Sequence, residues 1–205
     1  MLPPIKFPGF GRAGGGKDLL RLKQKRERSA AAADPGRAAT AARHAARLFL
    51  DNVPLPEDAV VALYHPIGDE LDTEPLLDAL VERGVAIALP RTPKGRNAVL
   101  SFHRFAPGDP LLEGRFGVLE PAADAPIVAP DVVICPLLGF DRAGARLGYG
   151  GGHYDRALAD LRRGDGAGPI AVGYAYGAQE VDALPAEDHD QRLDWVVTER
   201  RATAF

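Results

Sequence analysis

The hydrophobic positions of this chain fall into alternating segments that are typical of strands and helices. Continuous apolar runs at 59–67, 85–90 and 132–140 predict buried strands. Between the first two runs, residues 74–83 have the apolar spacing of a helix, and Thr73 precedes them as a capping residue. A strand, a helix and a second strand of this length predict a βαβ unit, with a right-handed crossover and a parallel sheet.

Further segments extend this α/β pattern on both sides. Residues 17–28 and 35–52 predict two N-terminal helices, the second beginning at Asp34-Pro35, where Asp is the N-cap and Pro the first helical residue. Later segments predict an edge strand at 100–105, mostly loop at 111–121, a helix at 154–163, and strands at 170–176 and 195–200. Residues 1–16 are rich in proline and glycine and predict a flexible tail, which leaves 17–205 as a single domain.

Composition and charge narrow the class of protein. The 205 residues are 46% hydrophobic and 26% charged, which is ordinary for a globular domain. A net charge of −3 gives no general reason to expect nucleic acid or an anionic membrane as a partner. The single cysteine, Cys135, excludes an internal disulfide and lies in an apolar run, so we expect a buried thiol. Without a membrane-length apolar run or a signal core, the sequence predicts a cytoplasmic protein.

The chemistry of the chain is concentrated in residues 137–156, where a predicted strand leads into a glycine-rich loop and then a helix. Glycines allow backbone N–H groups to converge on a ligand, and the helix start adds unpaired donors and partial positive charge, so an anion such as phosphate is favoured. Arg146 adds a planar cation that suits phosphate oxygens. The loop nevertheless lacks the usual nucleotide fingerprints, because it has neither the G-x-G-x-x-G spacing nor a lysine followed by Ser or Thr.

Asp155, in the first turn of that helix, has two interpretations. A phosphate at the helix start would be repelled by this carboxylate unless Mg²⁺ binds both of them. Alternatively, Asp155 only stabilises the helix N-terminus, by about 0.3–1 kcal/mol. The spacing alone leaves both interpretations open.

Three other polar groups have both a structural and a functional interpretation. The basic segment 17–28 is either a solvated helix or a cationic arm over a polyanionic ligand, with Lys17 and Arg21 one turn apart. Glu70 follows the first predicted strand, so it lies at the carboxyl edge of the sheet as a turn residue or a ligand contact. The pair His189-Asp190 is weak evidence for chemistry, since such pairs are more often surface residues.

Five motifs together make the chain resemble the 5-formyltetrahydrofolate cyclo-ligase (5,10-methenyltetrahydrofolate synthetase) family. They occur in the family's order over residues 17–199, and the long glycine motif is the specific one. The motifs are K-x-x-x-R at Lys17 and Arg21, Y-x-x-x-x-D-E-x-x-T at Tyr64, Asp69, Glu70 and Thr73, F-G-x-x-E-P from Phe116 to Pro121, G-F-D-x-x-G-x-R-L-G-Y-G-G-G-x-Y-D from Gly139 to Asp155, and H-D at Asp190 before L-D-x-V-V-T-E from Leu193 to Glu199.

This resemblance implies a single-domain, three-layer α/β/α sandwich with a mostly parallel sheet. It implies an ATP- and Mg²⁺-dependent carbon–nitrogen ligase that converts 5-formyltetrahydrofolate and ATP to 5,10-methenyltetrahydrofolate, ADP and phosphate. In that reaction the formyl oxygen is phosphorylated and N10 of the folate then attacks. The implied partner is a small molecule, with no nucleic acid or membrane involved, and we expect a monomer.

The resemblance also implies a role for individual residues. Arg146, Tyr154 and Asp155 are the implied catalytic residues, and Asp155 and Asp190 the implied Mg²⁺ ligands. The implied ATP contacts are Lys17, Arg21, Arg146, Leu147, Gly148, Tyr149, Gly150, Gly151, Gly152, His153 and Tyr154. The implied folate contacts are His65, Glu70, Gly150, Gly151, Gly152, His153 and Tyr154. His153 stands where many members of the family have tyrosine, and we expect a hydrogen bond to phosphate or a packing role for it.

Two other classes of function compete with the ligase. One is a paralogue that binds nucleotide or folate without turnover, and the other is a sugar-phosphate isomerase or CoA-transferase relative of similar topology. The presence of Lys17, Arg146, Asp155 and Asp190 in one chain disfavours the first, because a non-catalytic relative could lose any of them. The second does not explain a cationic first helix together with two aspartates.

Overall fold

The structure is a computed structural model that describes residues 15–93, 95, 98–114, 117–163 and 168–205. The predicted tail, 1–16, lies almost entirely outside these residues, as does Phe116 of the F-G-x-x-E-P motif. Within the described part, the first helix begins at Gly15, so the last two residues assigned to the tail are helical instead.

The described residues form four α-helices and eleven strands. The helices are α1 (Gly15–Ala32), α2 (Pro35–Asn52), α3 (Glu74–Glu82) and α4 (His153–Leu161), and a 3-10 turn covers Gly177–Gln179. The strands are β1 (Val60–Ala62), β2 (Ala86–Arg91), β3 (Ser101–Phe105), β4 (Leu111–Glu113), β5 (Leu119–Pro121), β6 (Val132–Cys135), β7 (Gly139–Phe140), β8 (Arg146–Leu147), β9 (Ile170–Tyr174), β10 (Trp195–Val197) and β11 (Ala202–Ala204).

Seven of the strands form the central sheet in the order β11-β10-β9-β6-β1-β2-β3. The five inner strands run parallel to one another, whereas β3 and β11 pair antiparallel at the two edges. The sheet is therefore mostly parallel, as the sequence predicts, and β6 lies at its centre. No helix in the described part of the chain is long and apolar enough to cross a membrane.

Alternate residues of the central strands supply two cores, one on each face of the sheet. On one face, Val61 and Ile134 pack with Phe49 of α2 and Leu76 of α3. On the other face, side chains of β1 and β6 pack with Leu158 of α4. Because successive strand residues point to opposite faces, the apolar runs predicted as strands fill both cores. Helices cover both faces, which confirms the three-layer α/β/α architecture.

The helix boundaries follow local capping chemistry. Asp34 caps α2 as predicted, and its Oδ1 accepts a hydrogen bond from Arg37 N at 2.9 Å. Thr73 is at the N-cap of α3, but its hydroxyl makes no capping bond there. It donates instead to the Tyr64 carbonyl at 2.8 Å, and Asp72 accepts from Glu74 N. The predicted capping role of the Thr73 side chain is therefore wrong, because the buried hydroxyl finds its partner in the strand-to-turn segment.

Several segments differ from their predicted structure. The apolar run at 59–67 forms a strand only up to Ala62, and the run at 132–140 divides into β6 and β7, which pair with different strands. Residues 111–121, expected as loop, contain the β4–β5 hairpin. The last predicted strand ends at Val197, and β11 follows it as an edge strand that the sequence does not predict. Short strands are missed because two or three residues carry too little periodicity.

Candidate active site

A cavity of about 320 Å³ opens where β1, β2 and β6 end. Functional groups gather at the carboxyl edge of a parallel sheet, because the connecting loops converge there. Every site residue named from the sequence lines this one cavity. These residues are Lys17, Arg21, His65, Glu70, Arg146, Leu147, Gly148, Tyr149, Gly150, Gly151, Gly152, His153, Tyr154, Asp155 and Asp190.

The glycine-rich segment begins as a small hairpin, β7–β8, and not as a plain loop. Asp141 holds its turn: one carboxylate oxygen accepts from Ala143 N and Ala145 N, and the other from Leu184 N at 2.9 Å. Gly144 has a φ of +77°, and a Cβ there would lie 2.9 Å from the Leu193 carbonyl oxygen. The hairpin is therefore fixed to the acidic segment 181–193, which brings Asp190 to the same cavity.

Arg146 and Asp155 form a nearly buried ion pair on the floor of the cavity. Arg146 Nη2 donates to Asp155 Oδ1 at 2.6 Å, and the arginine side chain is only 3% exposed. Burial disfavours the charged guanidinium and so lowers the pKa of Arg146. Interactions with Cys135 and Asp155 outweigh this effect, and the pKa lies above its usual value. Arg146 Nη1 is buried with no hydrogen-bond partner among the described residues. A buried donor of this kind is costly when unpaired and so suits an anionic ligand.

Lys17 makes a second ion pair across the cavity. Its Nζ lies 2.9 Å from Glu187 Oε1 and 3.2 Å from Asp190 Oδ2. Burial disfavours the ammonium, but hydrogen bonds and charge attraction to the two carboxylates prevail and raise the pKa of Lys17. The start of α1 is thereby held against the acidic segment, so Lys17 lies at the cavity and not on a solvated helix face.

Arg21 connects α1 to the glycine loop. Its Nε donates to the Gly148 carbonyl at 3.0 Å, and Nη1 pairs with Asp18 at 2.7 Å. Gly150 has a φ of +94°, and a Cβ there would lie 3.4 Å from Arg21 Cζ. The backbone of Gly150 and the guanidinium therefore approach each other closely, which places a cation directly beside the loop.

Glu70 lies within a buried network at the other end of α1. Its Oε2 accepts from Ile67 N at 2.9 Å, and its Oε1 accepts from Tyr149 Oη at 2.8 Å. Arg28 donates to Tyr149 Oη at 2.6 Å, lies 3.4 Å from Glu70 Oε1 and pairs with Asp69. Burial raises the pKa of Glu70, and the charge of Arg28 opposes that rise.

Tyr154 and the two histidines complete the lining. The Tyr154 ring lies under Arg146, with 5.8 Å from the guanidinium carbon to the ring centroid, and burial raises the pKa of its hydroxyl well above the usual value. His153 Nδ1 lies 3.2 Å from Arg156 Nη2, so its ring is oriented by a residue one turn further along α4. His65, just beyond β1, faces the cavity on the side of Glu70.

The wall opposite the glycine loop is held by the F-G-x-x-E-P motif. Glu120 is 3% exposed, and its Oε1 accepts from Thr92 N at 3.0 Å. Thr92 and Val118 both line the cavity. Within the described residues of this motif, the glutamate therefore positions backbone at the cavity wall and does not face the ligand space.

Two carboxylates are available for a divalent cation. Asp155 and Asp190 line the same cavity, and Asp155 Oδ1 also accepts from Gln191 N, the residue after Asp190, at 3.1 Å. No group of three or more His, Cys, Asp or Glu side chains within the described ranges is arranged to hold a metal ion. The donor set fits Mg²⁺ that takes its remaining ligands from phosphate and water, and it does not fit a cation that needs a complete protein cage.

Sequence reasoning missed Arg28 and Gln24, which are both 2% exposed on α1. The sequence feature that could have identified them is their spacing. Arg21, Gln24 and Arg28 recur every three or four residues and therefore share one helix face. Two of the three leucines of the same helix, Leu19 and Leu22, are instead 70% and 49% exposed. Helix α1 thus buries its polar face, because the neighbouring glycine loop and acidic turns offer ion pairs and hydrogen bonds rather than an apolar surface.

Comparisons with known proteins agree with these features. The model of the 5-formyltetrahydrofolate cyclo-ligase family matches residues 13–199. The 5-formyltetrahydrofolate cyclo-ligase of Escherichia coli (strain K12) is 36% identical over 160 residues, which cover 76% of this chain and 86% of the relative. The NMR structure of Aquifex aeolicus 5,10-methenyltetrahydrofolate synthetase is 30% identical and covers 92% of both chains with a TM-score of 0.73.

A second solved structure supports the fold alone. It is a 5,10-methenyltetrahydrofolate synthetase from Mycoplasma pneumoniae, 23% identical, which covers 90% of this chain and 99% of its own with a TM-score of 0.69. The α/β architecture described above is thus that of solved synthetase structures.

Proposed function

The chain belongs to the 5-formyltetrahydrofolate cyclo-ligase family and is a ligase of that kind, and we propose that it works by ATP- and Mg²⁺-dependent cyclisation of 5-formyltetrahydrofolate. The products are 5,10-methenyltetrahydrofolate, ADP and phosphate. The observation that carries this proposal is the convergence of three cations, a glycine loop, the carboxylates of Asp155 and Asp190, and Glu70 on one cavity. A phosphate donor and a folate can meet there.

The chemistry of the substrate explains why ATP is needed. A formamide oxygen is a poor leaving group, so N10 cannot displace it directly. Transfer of the γ-phosphoryl group from ATP to the formyl oxygen gives an iminium phosphate and ADP. N10 then attacks the formyl carbon, and the carbon–oxygen bond breaks to release phosphate, which takes up the proton that N10 loses. Phosphoryl transfer of this kind depends mainly on positioning and charge stabilisation, which a rigid polar cavity supplies.

The nucleotide contacts come from α1 and the glycine loop. Lys17, Arg21 and Arg146 provide the positive charge, and the last of these also brings the unpartnered Nη1 donor. The backbone N–H groups of Gly150–Tyr154, at the start of α4, add donors and the positive end of a helix dipole. Charged donors on phosphate oxygens make stronger bonds than neutral ones, so this end of the cavity binds the triphosphate.

Asp155 and Asp190 would hold Mg²⁺, which when bound would neutralise phosphate charge beside these carboxylates. In the described structure each carboxylate is paired with a cation that we assign to phosphate, Asp155 with Arg146 and Asp190 with Lys17. With Mg²⁺ held by Asp155 and Asp190, Arg146 and Lys17 would be released from these carboxylates and could contact phosphate.

The folate lies on the side of Glu70 and His65. Glu70 presents a buried carboxylate, which accepts hydrogen bonds and so suits the N–H groups of a pterin ring. Tyr154 and the glycine loop lie between the two ends of the cavity, where the formyl group must meet the phosphate donor. His153 is placed to contact phosphate, since Arg156 orients its ring. A cytoplasmic monomer stays a prediction for this chain.

One assay tests the proposal. The purified protein is incubated with 5-formyltetrahydrofolate, ATP and Mg²⁺, and the near-ultraviolet absorbance of the methenyl product is followed alongside ADP release. We expect product only when all three components are present, with ADP and product formed in equal amounts. Binding of either ligand without any turnover would support a non-catalytic paralogue and contradict the proposed reaction.

A further inference from the structure

Arg28 has no role in any of the motifs above, yet it is one of the most buried charged residues in the described structure. It is 2% exposed on α1, whereas the neighbouring Arg26 on the same helix is exposed. Its guanidinium contacts three groups from two other segments: Asp69, Glu70 and the Tyr149 hydroxyl. Burying a cation this completely is costly unless its partners compensate, so its contacts define what it does.

The directions of the hydrogen bonds are fixed by Arg28. A guanidinium can only donate, so the Tyr149 oxygen accepts from Arg28 Nη1 at 2.6 Å. The single proton of Tyr149 Oη is then left to donate to Glu70 Oε1 at 2.8 Å. Ile67 N donates to the other carboxylate oxygen at 2.9 Å. Glu70 therefore receives hydrogen bonds on both oxygens, which orients the carboxylate and favours its charged, acceptor-only form.

The charges around Glu70 show why this support is needed. Burial and the adjacent Asp69 both disfavour ionised Glu70, and Tyr64 and Tyr154 also face it. Among the described groups that act on Glu70, Arg28 is the cation that favours the ionised carboxylate. The hydrogen bonds from Tyr149 and Ile67 act in the same direction. Without Arg28, the carboxylates of Asp69 and Glu70 would lie beside each other without the cation that pairs with both.

We propose that Arg28 is a positioning residue for folate binding, which holds Glu70 as a charged hydrogen-bond acceptor through Tyr149 and joins the folate side of the cavity to the glycine loop. This inference rests on the proposed role of Glu70 as a folate contact. Arg28 does not line the cavity, so it acts through Glu70 and Tyr149. Helix α1 then serves both ligands, with Lys17 and Arg21 at the nucleotide end and Arg28 at the folate end.

The test compares Arg28→Gln, Arg28→Lys and, as the matched control, Arg26→Gln in the full chain. Calorimetry measures the Kd of 5-formyltetrahydrofolate and, separately, of ADP with Mg²⁺, and thermal unfolding checks the fold. We expect Arg28→Gln to weaken folate binding by about tenfold or more, as for loss of a buried charged contact. Nucleotide binding should change by less than about threefold, Arg28→Lys should recover part of the folate affinity, and Arg26→Gln should match the wild type.

A pH series separates positioning from simple structural support. Without Arg28 the pKa of Glu70 rises further, so the folate affinity of Arg28→Gln should fall more steeply than that of the wild type as the pH is lowered. A merely structural arginine would lower the unfolding temperature but leave the pH dependence unchanged. Equal loss of both ligands, or a parallel pH dependence, contradicts the inference.

If Arg28→Gln does not fold, Tyr149→Phe tests the same inference. It removes only the hydroxyl that connects Arg28 to Glu70, so folate binding should weaken several-fold with the same shift in pH dependence. Wild-type folate affinity in Tyr149→Phe would overturn the inference. A wild-type protein that binds ADP but no 5-formyltetrahydrofolate would overturn the proposed function itself, which distinguishes the two failures.

Discussion

Arg146 donates to Asp155 at 2.6 Å, so the residue proposed to bind phosphate neutralises the residue proposed to bind metal. Lys17 and Asp190 repeat the arrangement at 3.2 Å. The two pairs keep four charged side chains compatible with one cavity. On the proposed roles, binding of nucleotide and of Mg²⁺ would be interdependent, since releasing a cation for phosphate would leave a carboxylate that needs a new partner.

Arg146→Ala should weaken ATP binding far more than folate binding. The substitution removes a buried guanidinium with an unpartnered Nη1, and loss of a charged hydrogen bond costs about 1.5–3 kcal/mol, or about 10- to 100-fold in affinity. Calorimetry with each ligand measures the two effects. Arg163→Ala, an exposed arginine just after α4, is the control and should bind both ligands normally. An equal loss for both ligands would remove the phosphate role of Arg146.

Asp155→Asn should abolish turnover while the protein still folds. Asparagine keeps the shape of the side chain and can still accept from Gln191 N, but it lacks the charge that Mg²⁺ requires. Activity should fall by at least about 100-fold if the metal stabilises the transferred charge. Asp160→Asn, exposed on the same helix, is the control.

The effect of Mg²⁺ removal on ATP affinity tests the metal-ligand role of Asp155 without an activity measurement. With a chelator present, wild-type protein should bind ATP much more weakly than with Mg²⁺, because Asp155 and Asp190 then repel the phosphates. In Asp155→Asn this difference should shrink, since one of the two carboxylates is neutral. Nucleotide titrations with and without Mg²⁺ measure it. An unchanged difference in the variant would show that Asp155 is not a metal ligand.

Glu70 should make stability depend on pH in a specific direction. Burial raises its folded-state pKa above 4.5, so between that value and the raised pKa the native protein holds more protons than the unfolded chain. The free energy of unfolding therefore falls as pH rises through this window, by up to about 1.4 kcal/mol per pH unit from this group. Denaturant unfolding across the window should show a flatter profile for Glu70→Gln. Glu82→Gln, exposed on α3, should keep the wild-type slope.

Two glycines of the loop should differ in their tolerance of alanine. Gly150 has a φ of +94°, so a Cβ there is strained and lies close to Arg21. A Cβ at Gly148 would have open space within 4 Å, and the φ of Gly148 is not in the left-handed region. Gly150→Ala should therefore lower the free energy of unfolding by about 1–3 kcal/mol, and Gly148→Ala by much less. Denaturant unfolding without ligand measures both, and equal losses would show that backbone conformation does not distinguish them.

The folate-binding and catalytic roles remain predictions, but much of the architecture could be obtained from the sequence. Apolar runs on β1, β2, β6 and β9 predict the parallel sheet because strands buried on both faces contain few polar residues. Asp34-Pro35 marks the start of α2 because capping is a local interaction. The carboxyl edge of such a sheet then gives the location of the site. All of these features depend on neighbours in sequence or on a regular repeat.

The buried face of helix α1 could not be predicted from the sequence. Its leucines suggest an apolar stripe, yet Leu19 is exposed while Gln24 and Arg28 are buried. Which face of a helix is buried depends on the surface it meets, and here that surface consists of glycine backbone, carboxylates and a tyrosine hydroxyl from distant segments. The sequence by itself determined the fold class and the family, and it named fifteen residues that the fold brings together at one cavity. Only the tertiary structure decided which charges pair, because ion pairs such as Arg28 with Asp69 and Arg146 with Asp155 form between segments that meet only after the sheet has folded.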